Sequence, residues 1–448
     1  MGEVLKKMFP LLDGFVIIFM SVFCFVNFSS SSKQLFLLVL FILFVTMLTM
    51  FCKKIYSIEN FKFKNIYNLF ECIAVSFAIS SIVAICLGTV TVTYLLFIIA
   101  FTGIFLGIIV VRILQVLVSK FFNKRRNVLI VGAGQDGKLI AEEIQQRPNL
   151  GLNVVGFLDD NMNNIEDEDS SIPILGLTCD SEAVIKDNNV KVVIIAVKSR
   201  MDSNILTDLV KGIPLGVKVW RMYRFYEKIT HKFLVSKMSV NWLFYDCVRK
   251  KALLYAYIKR FCDVIASIMI LILTLPLSLL AIIGIELSDL GPVFFTQMRI
   301  GKFGKPFKMI KFRTMYQDEV NNNFDDDLTE VYADDKRIMP FCRFLRKFHI
   351  DEIPQMINVL KGEMSIIGPR PVREEVFDEN CEKLPFWLCR NWVRPGWCGW
   401  QQVNINEPTA EERLGLDLYY IKHRHLWWEI AIFVRYMAKV VIGKARGK

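Results

Sequence analysis

Paired-cysteine motifs are missing from this sequence of 448 residues: its eleven cysteines are scattered, none in C-x-x-C, and there are only four histidines. That speaks against both a disulfide scaffold and a zinc site, and it suits soluble parts kept in a reducing compartment. No zinc-finger, RNP or basic-helix pattern accompanies the net charge of +11. Nucleic acid is therefore not the expected partner, whereas anionic lipid and phosphate groups are. The first apolar stretch lacks an evident small-residue cleavage site, which argues against a removable signal peptide. Charged residues make up only 22% of the chain against 53% hydrophobic ones, with a mean hydropathy of +0.38. A membrane protein with soluble parts is the default for such a composition.

Apolar stretches at 11–28, 34–52, 67–87 and 90–117 are each near or above the roughly 20 residues that a helix needs to cross a bilayer. Lys6 and Lys7, then Lys53, Lys54, Lys62 and Lys64, then Lys120, Lys124, Arg125 and Arg126 mark alternate ends, so both ends of a four-helix bundle face the cytoplasm. No ionisable residue is expected deep in the first, second or fourth span, and Glu71 sits near the cytoplasmic end of the third. The bundle thus reads as an anchor or a homodimer surface and not as an ion path.

Next, Asn127-Val-Leu-Ile-Val-Gly132-Ala-Gly134-Gln-Asp-Gly137 runs from an apolar strand through G-x-G-x-x-G into a helical pattern. Asp159, at the end of a second strand, stands where a dinucleotide-binding unit holds its ribose. Gly132, Gly134, Gly137 and Asp159 are the nucleotide-binding candidates of a doubly wound α/β domain over about 125–225. A Rossmann-like domain that holds no NAD fits the same residues. Residues 161–171 form an acidic surface loop. The basic, aromatic linker 218–251 suits either a segment lying on headgroups or a strand pair of the preceding domain.

A fifth apolar run, 258–286, is interrupted by Pro276 and flanked by cations at both ends, so both ends belong on the cytoplasmic side. A proline frees a backbone carbonyl and kinks the helix, and Ser267 or Thr274 can satisfy it. A re-entrant helix is the preferred reading; a plain, kinked fifth span is the alternative.

The richest stretch is Asp351-Glu-Ile-Pro-Gln-Met-Ile-Asn-Val-Leu-Lys-Gly-Glu-Met-Ser-Ile-Ile-Gly-Pro-Arg370-Pro371. Pro354 belongs in a first helical turn and Gly362 is a stop, so the spacing predicts a helix that begins near Asp351. Ile353, Met356, Ile357 and Leu360 form its apolar stripe. An Asp-Glu pair at such a start is also what simple capping requires. Its company favours chemistry: Arg343, Arg346 and Lys347 precede it, and Arg370, held between prolines, suits a phosphate clamp. Upstream, Lys311 and Arg313 share one face of a strand, and 321–330 form a mobile acidic loop. Downstream, a turn presents Arg394, a helix carries Asp417, and 426–442 read as an interfacial amphipathic helix.

These motifs together, Lys311-Phe-Arg-Thr-Met315, Asp351-Glu-x-Pro-Gln355, Asn358-Val-Leu-Lys-Gly-x-Met-Ser365 and Gly368-Pro-Arg-Pro371, resemble the bacterial polyisoprenyl-phosphate hexose-1-phosphate transferases. The resemblance covers about residue 257 to the C-terminus; larger members also carry four spans and a Rossmann-like domain. The fold it implies is a transmembrane bundle (1–122), a Rossmann-like domain with linker (123–250) and a monotopic α/β catalytic domain with a re-entrant membrane helix broken at Ser267 and Pro276 (251–448).

The resemblance further implies Asp351 as nucleophile with Glu352 as its partner, and Mg²⁺ at these two carboxylates. Lys311, Arg313, Arg346, Arg370, Arg394 and Asp417 would bind substrate. The expected reaction transfers hexose 1-phosphate from a UDP-sugar to undecaprenyl phosphate at the cytoplasmic face of the inner membrane. It would start capsule, O-antigen or exopolysaccharide assembly. Cys398 replaces a usual Thr and His423-Arg-His425-Leu-Trp-Trp428 a usual Ser-containing stretch, which bears on substrate choice. The competing reading is a membrane-anchored NAD-dependent epimerase or dehydratase; for it, Tyr255-x-x-x-Lys259 reads as a chance match.

Overall fold

The structure, a computed structural model, describes residues 12–19, 46, 69, 73, 74, 76, 94–122, 125–161, 172–197, 216–237, 253–316 and 337–441. The chain divides into two compact units, Met1–Met222 and Tyr223–Lys448. Most of the first three apolar stretches, the loop 321–330 and most of 161–171 lie outside the described residues.

In the first unit, helix α1 (Tyr94–Phe122) has 29 residues, about 44 Å at 1.5 Å per residue. Its described part is apolar on every side: Ile104, Ile108 and Val111 are buried while Leu106, Val110, Ile113, Leu114 and Leu117 are exposed. Helical residues 12–19 pack against it where Gly107 leaves no room for a Cβ beside Val16. Asp13 and Arg112, both buried, form an ion pair. Asp13 lies near the start of the first stretch and Arg112 near the end of the fourth, and the packing brings these ends together.

A five-stranded parallel sheet follows, β1 (Arg126–Val131), β2 (Leu152–Leu158), β3 (Ile174–Gly176), β4 (Val190–Ile195) and β5 (Lys218–Arg221), in the order β3-β2-β1-β4-β5. Helix α2 (Gln135–Gln145) follows β1, and α3 (Ser181–Asp187) precedes β4. The strands are near-continuous Val, Ile and Leu because a parallel sheet in this class is covered on both faces. Leu129, Val131, Leu158, Val193 and Ile195 form its core with Val184 and Ile185 of α3. The expected α/β alternation is observed, and the start of the linker supplies the edge strand β5.

The second unit begins in α4 (Met222–Thr230) and contains α5 (Leu253–Leu273), α6 (Leu275–Ser288), β6 (Phe294–Ile300), β7 (Pro306–Phe312), α7 (Pro340–Lys347), α8 (Gln355–Lys361), β8 (Ser365–Ile367), α9 (Glu374–Lys383), β9 (Gly396–Cys398), α10 (Trp400–Asn404), α11 (Ala410–His423) and α12 (Leu426–Val441). Strands β6 and β7 form the expected antiparallel hairpin; β8 and β9 pair in parallel.

Helices α5 and α6 meet at a 60° bend and together have the length and apolarity of a membrane-crossing segment. Among the described residues no single helix does; the apolar described part of α1 is Phe101–Leu114. Thr274 stands at the break and Pro276 in the first turn of α6, the position where a missing N–H costs least. The hydroxyls of Ser267 and Thr274 donate to the carbonyls of Asp263 and Ile270, both at 2.7 Å. Much of the pair's outer surface is bare hydrocarbon, with Tyr257, Leu273 and Leu287 each more than 70% exposed.

The last helix departs from the sequence reading. Ile432, Tyr436 and Val440 of α12, spaced four apart, are buried in the main core with Trp387, Trp397 and Trp400. Its apolar stripe packs on protein, although Trp427 stays 78% exposed.

Candidate active site

Asp351 and Glu352 lie in a three-residue 3₁₀ turn between α7 and α8. His349 precedes it with φ of 55°, a left-handed conformation that reverses the chain out of α7. The α-helix itself opens only at Gln355 and is seven residues long, so the carboxylates sit one turn before it and not in its first turn. Gly362 ends it as expected, at φ 87°.

The apolar stripe is also rotated. Met356 and Val359 are buried, whereas Ile357 is exposed, because Asn358 faces inward and ties the helix to β7. Its side chain accepts from the Ile310 N–H (3.0 Å) and donates to the Lys308 carbonyl and the Glu363 carboxylate (2.7 Å each).

Both carboxylates are almost wholly buried, Asp351 at 4% exposure and Glu352 at 0%. Glu352 is surrounded by basic groups. Arg370 Nη2 donates to its Oε1 at 2.9 Å, Lys311 Nζ lies 3.9 Å from the same oxygen, and His349 Nδ1 lies 3.4 Å from Oε2. Burial alone would raise its pKa, but Arg370, His349 and Lys311 together hold it well below the usual carboxylate range. The same burial pushes Lys311 down to about 8, against the pull of Glu352. Arg370 is pushed up by the Glu352 charge.

Cys342 marks a second convergence. Its buried thiol is pushed up to about 11 by burial and then by the charge of Asp351, while Arg313 and Arg346 act in the opposite direction. Arg313 is itself held by Asp289, at the end of α6, through Nη1 to Oδ2 (2.9 Å) and Nη2 to the backbone carbonyl (2.6 Å). Lys311 reaches Glu352, but Arg313 fastens the strand to the bent helices; the expected side-by-side pair of cations is divided between two tasks. Arg346, half-buried, occupies the last turn of α7.

Arg370 is placed by a scaffold behind it. Arg390 donates to its backbone carbonyl (2.8 Å) and, through Nε and Nη2, to Asp417 Oδ2 (3.0 and 2.8 Å). Asp417 and Arg390 are each 2% exposed, and burial raises the Asp417 pKa against Arg390. Asp417 is thus paired with Arg390, which in turn holds the backbone of Arg370. Gly368 and Gly396 approach so closely that a Cβ on Gly396 would lie 2.0 Å from the Gly368 nitrogen. That approach lets Gly396 N–H bond Pro369 O at 2.9 Å and sets the Arg394 turn beside the Arg370 turn.

The first half of α5 is tied to the same place. Asp263 accepts from Ser365 Oγ (2.8 Å) and the Ile366 N–H (3.3 Å), and Arg260 caps α8 by donating to the carbonyls of Val359 and Leu360. Tyr255 and Lys259 meet Glu429 at 2.7 and 3.1 Å, with Tyr420 on the same carboxylate. This buried network accounts for the Tyr-x-x-x-Lys spacing without redox chemistry.

The sequence reading did not single out His349, Arg390 or Tyr436. Tyr436 Oη lies 3.2 Å from His349 Nδ1. The only available signal was that one of four histidines stands two residues before the acidic pair.

The sequence profile described as "Bacterial sugar transferase" matches residues 254–443, the region that holds all of these groups, and one described as "CoA-binding domain" matches 55–212. A UDP-glucose:undecaprenyl-phosphate glucose-1-phosphate transferase of Escherichia coli (strain K12) is 30% identical over 72% of this chain and 69% of its own length. The chain belongs to the bacterial sugar transferase family. It is an enzyme of the phosphoglycosyl transferase class. An undecaprenyl-phosphate galactose phosphotransferase of Salmonella typhimurium is 27% identical over 75% of this sugar transferase and 73% of its own length. A UDP-N-acetylgalactosamine-undecaprenyl-phosphate N-acetylgalactosaminephosphotransferase of Aeromonas hydrophila is 36% identical, over 42% of this chain and 45% of its own length.

The expected Mg²⁺ has no ready-made cage: among the described residues no three His, Cys, Asp or Glu side chains gather. Mg²⁺ is ordinarily held by one or two carboxylates plus substrate phosphates and water. Asp351 and Glu352 are two adjacent carboxylates of the kind that this mode uses.

Proposed function

We propose that this sugar transferase moves hexose 1-phosphate from a UDP-hexose to undecaprenyl phosphate at the cytoplasmic face of the bacterial inner membrane. The observation that carries the reading is the buried acidic pair, in which Glu352 is clamped by Arg370, Lys311 and His349 beside Asp351; in this reading Asp351 is the nucleophile. The relatives' names supply the substrate class.

Two like-charged groups must meet for a carboxylate to attack a phosphate. Arg370 and Lys311, oriented by Glu352, lower that repulsion and receive the diphosphate as it enters. Mg²⁺, held by Asp351 and Glu352, would neutralise charge on the diphosphate.

An Asp351 carboxylate oxygen forms a bond to the sugar-linked phosphorus. The bridging P–O bond breaks and UMP leaves with the electron pair. The acceptor's phosphate oxygen then attacks the same phosphorus, the aspartyl P–O bond breaks, and the carboxylate is restored as the lipid diphosphate sugar departs. Covalent capture divides one transfer between a water-soluble and a lipid reactant into two steps.

The bare apolar faces of α5 and α6 and their 60° bend support a helix that enters and leaves on the cytoplasmic side. Such a helix keeps the acidic pair beside the lipid phosphate. The product would begin capsule, O-antigen or exopolysaccharide assembly. The test is UMP release from a panel of UDP-sugars with and without undecaprenyl phosphate. Lipid-dependent UMP supports the reading; turnover of free UDP-sugar without lipid overturns it.

A further inference from the structure

We infer that the first unit carries a second, separate ligand site, which takes a ribonucleoside diphosphate with an unmodified 2′,3′-diol at the carboxyl ends of β1, β2 and β4. Strand β1 has β2 on one side and β4 on the other, so the order β3-β2-β1-β4-β5 reverses direction at β1. In open parallel sheets, ligands bind in the crevice at such a reversal. A cavity of about 430 Å³ lies there, lined by Val131 and Gly132, by Leu158 and Asp159, and by Val197 beyond β4. That volume falls within the range of roughly 300–1,000 Å³ typical of small-molecule sites.

The glycines separate what the fold needs from what a ligand needs. Gly132 has φ 104°, and a Cβ on Gly137 would stand 1.9 Å from the Gly132 carbonyl oxygen, so both are required by the chain itself. Gly134 is different. Its backbone, at φ −66° and ψ −175°, suits any residue, and a Cβ there would meet nothing within 4 Å. Folding gives no reason for glycine at 134, but a pyrophosphate lying against the backbone does. Gly134 is also the N-cap of the eleven-residue α2 and supplies no side-chain cap, which suits amides that turn toward an anion.

Asp159 supplies the other end of the ligand. Its Oδ2 accepts from the Ala133 N–H at 2.6 Å and its Oδ1 from the Asn161 N–H at 2.9 Å. These two bonds fix the carboxylate at the end of β2, where an acid meets ribose hydroxyls. Asp160 lies beside it in the cavity wall, and no described lining residue is cationic. A 2′-phosphate, as in NADPH, or a 3′-phosphate, as in coenzyme A, would face two carboxylates. Among the described residues nothing offsets that repulsion, so an unmodified diol is preferred over either phosphate, coenzyme A included, despite the description of the profile that matches this region.

The site lies in the first unit and uses none of the residues assigned to the transfer. Its test is isothermal titration of the full-length, detergent-solubilised protein with ADP-ribose, NADH, UDP, NADPH and coenzyme A, in wild type and Gly134→Val. Wild type should bind ADP-ribose and NADH, or UDP if uridine is the preferred base, and Gly134→Val should weaken that binding at least tenfold with an unchanged melting temperature. NADPH and coenzyme A should bind at least tenfold more weakly than NADH. Asp159→Asn, which replaces one acceptor oxygen by a donor, should give the same loss and serves if the valine variant misfolds. Binding that is insensitive to both variants, no binding of any diol-bearing nucleotide, or equal binding of NADPH would each overturn the proposal.

Discussion

Raising the pH from 7 to 9 should discharge Lys311 and with it part of the diphosphate clamp. The ammonium is pushed down to about 8 by burial, although it lies 3.9 Å from the Glu352 carboxylate. At an effective dielectric of about 20 that attraction is worth about 4 kcal/mol, so the desolvation opposing it is larger still. With a pKa about 8, roughly nine-tenths of the protein carries the charge at pH 7 and roughly one-tenth at pH 9. If the cation receives the donor diphosphate, kcat/KM for the UDP-sugar should fall about tenfold over that interval, in proportion to the charged fraction.

Two controls isolate the group. Lys311→Arg carries a guanidinium whose pKa stays above about 12, so its alkaline limb should disappear. The acceptor's phosphate titrates near 6, well away from the limb. Stability moves the other way: a folded pKa below the ordinary lysine value means that the unfolded chain binds more protons between about pH 8 and 10.5. In that window this group favours folding as pH rises, so the loss of rate is not Lys311-driven unfolding. A wild-type profile flat from pH 7 to 9.5, or an identical limb in Lys311→Arg, would refute the reasoning.

Asp351→Asn should abolish turnover and leave no phosphosugar on the protein in mass spectra of donor-treated samples; full activity in that variant removes the covalent step. Asp417→Asn should leave the buried Arg390 charge poorly compensated and cost on the order of 3–5 kcal/mol of stability. That cost is read as a lowered denaturation midpoint, with a raised KM for donor because Arg370 loses its support. Asn358→Leu should strand a buried N–H and a carbonyl at β7 and cost about 3 kcal/mol, visible in the same unfolding measurement.

The local geometry of the second unit was legible where single residues have stereochemical consequences. Pro354 and Gly362 delimit a helix in any context, and Arg370 between two prolines points where the chain forces it. The parallel sheet showed itself through unbroken Val and Ile runs. What escaped was decided by pairing across long separations. Nothing local distinguishes Arg313, which turns to Asp289, from Lys311, which turns to Glu352. Asp417 looks like any helical acid until Arg390, 27 residues earlier, is brought against it. The stripe through Ile357 misled because Asn358, a polar residue, is the one the core needs.

The bonds from α5 into the core have a practical meaning for anyone handling this enzyme. Arg260 closes the end of α8, and Asp263 holds the backbone of β8. The bent apolar pair is thus a strut of the catalytic fold. Trimming the chain to begin after residue 288 would not release a water-soluble catalyst. It would remove the bonds that fasten the end of α8 and the backbone of β8, so the bent pair has to be kept with the catalytic fold.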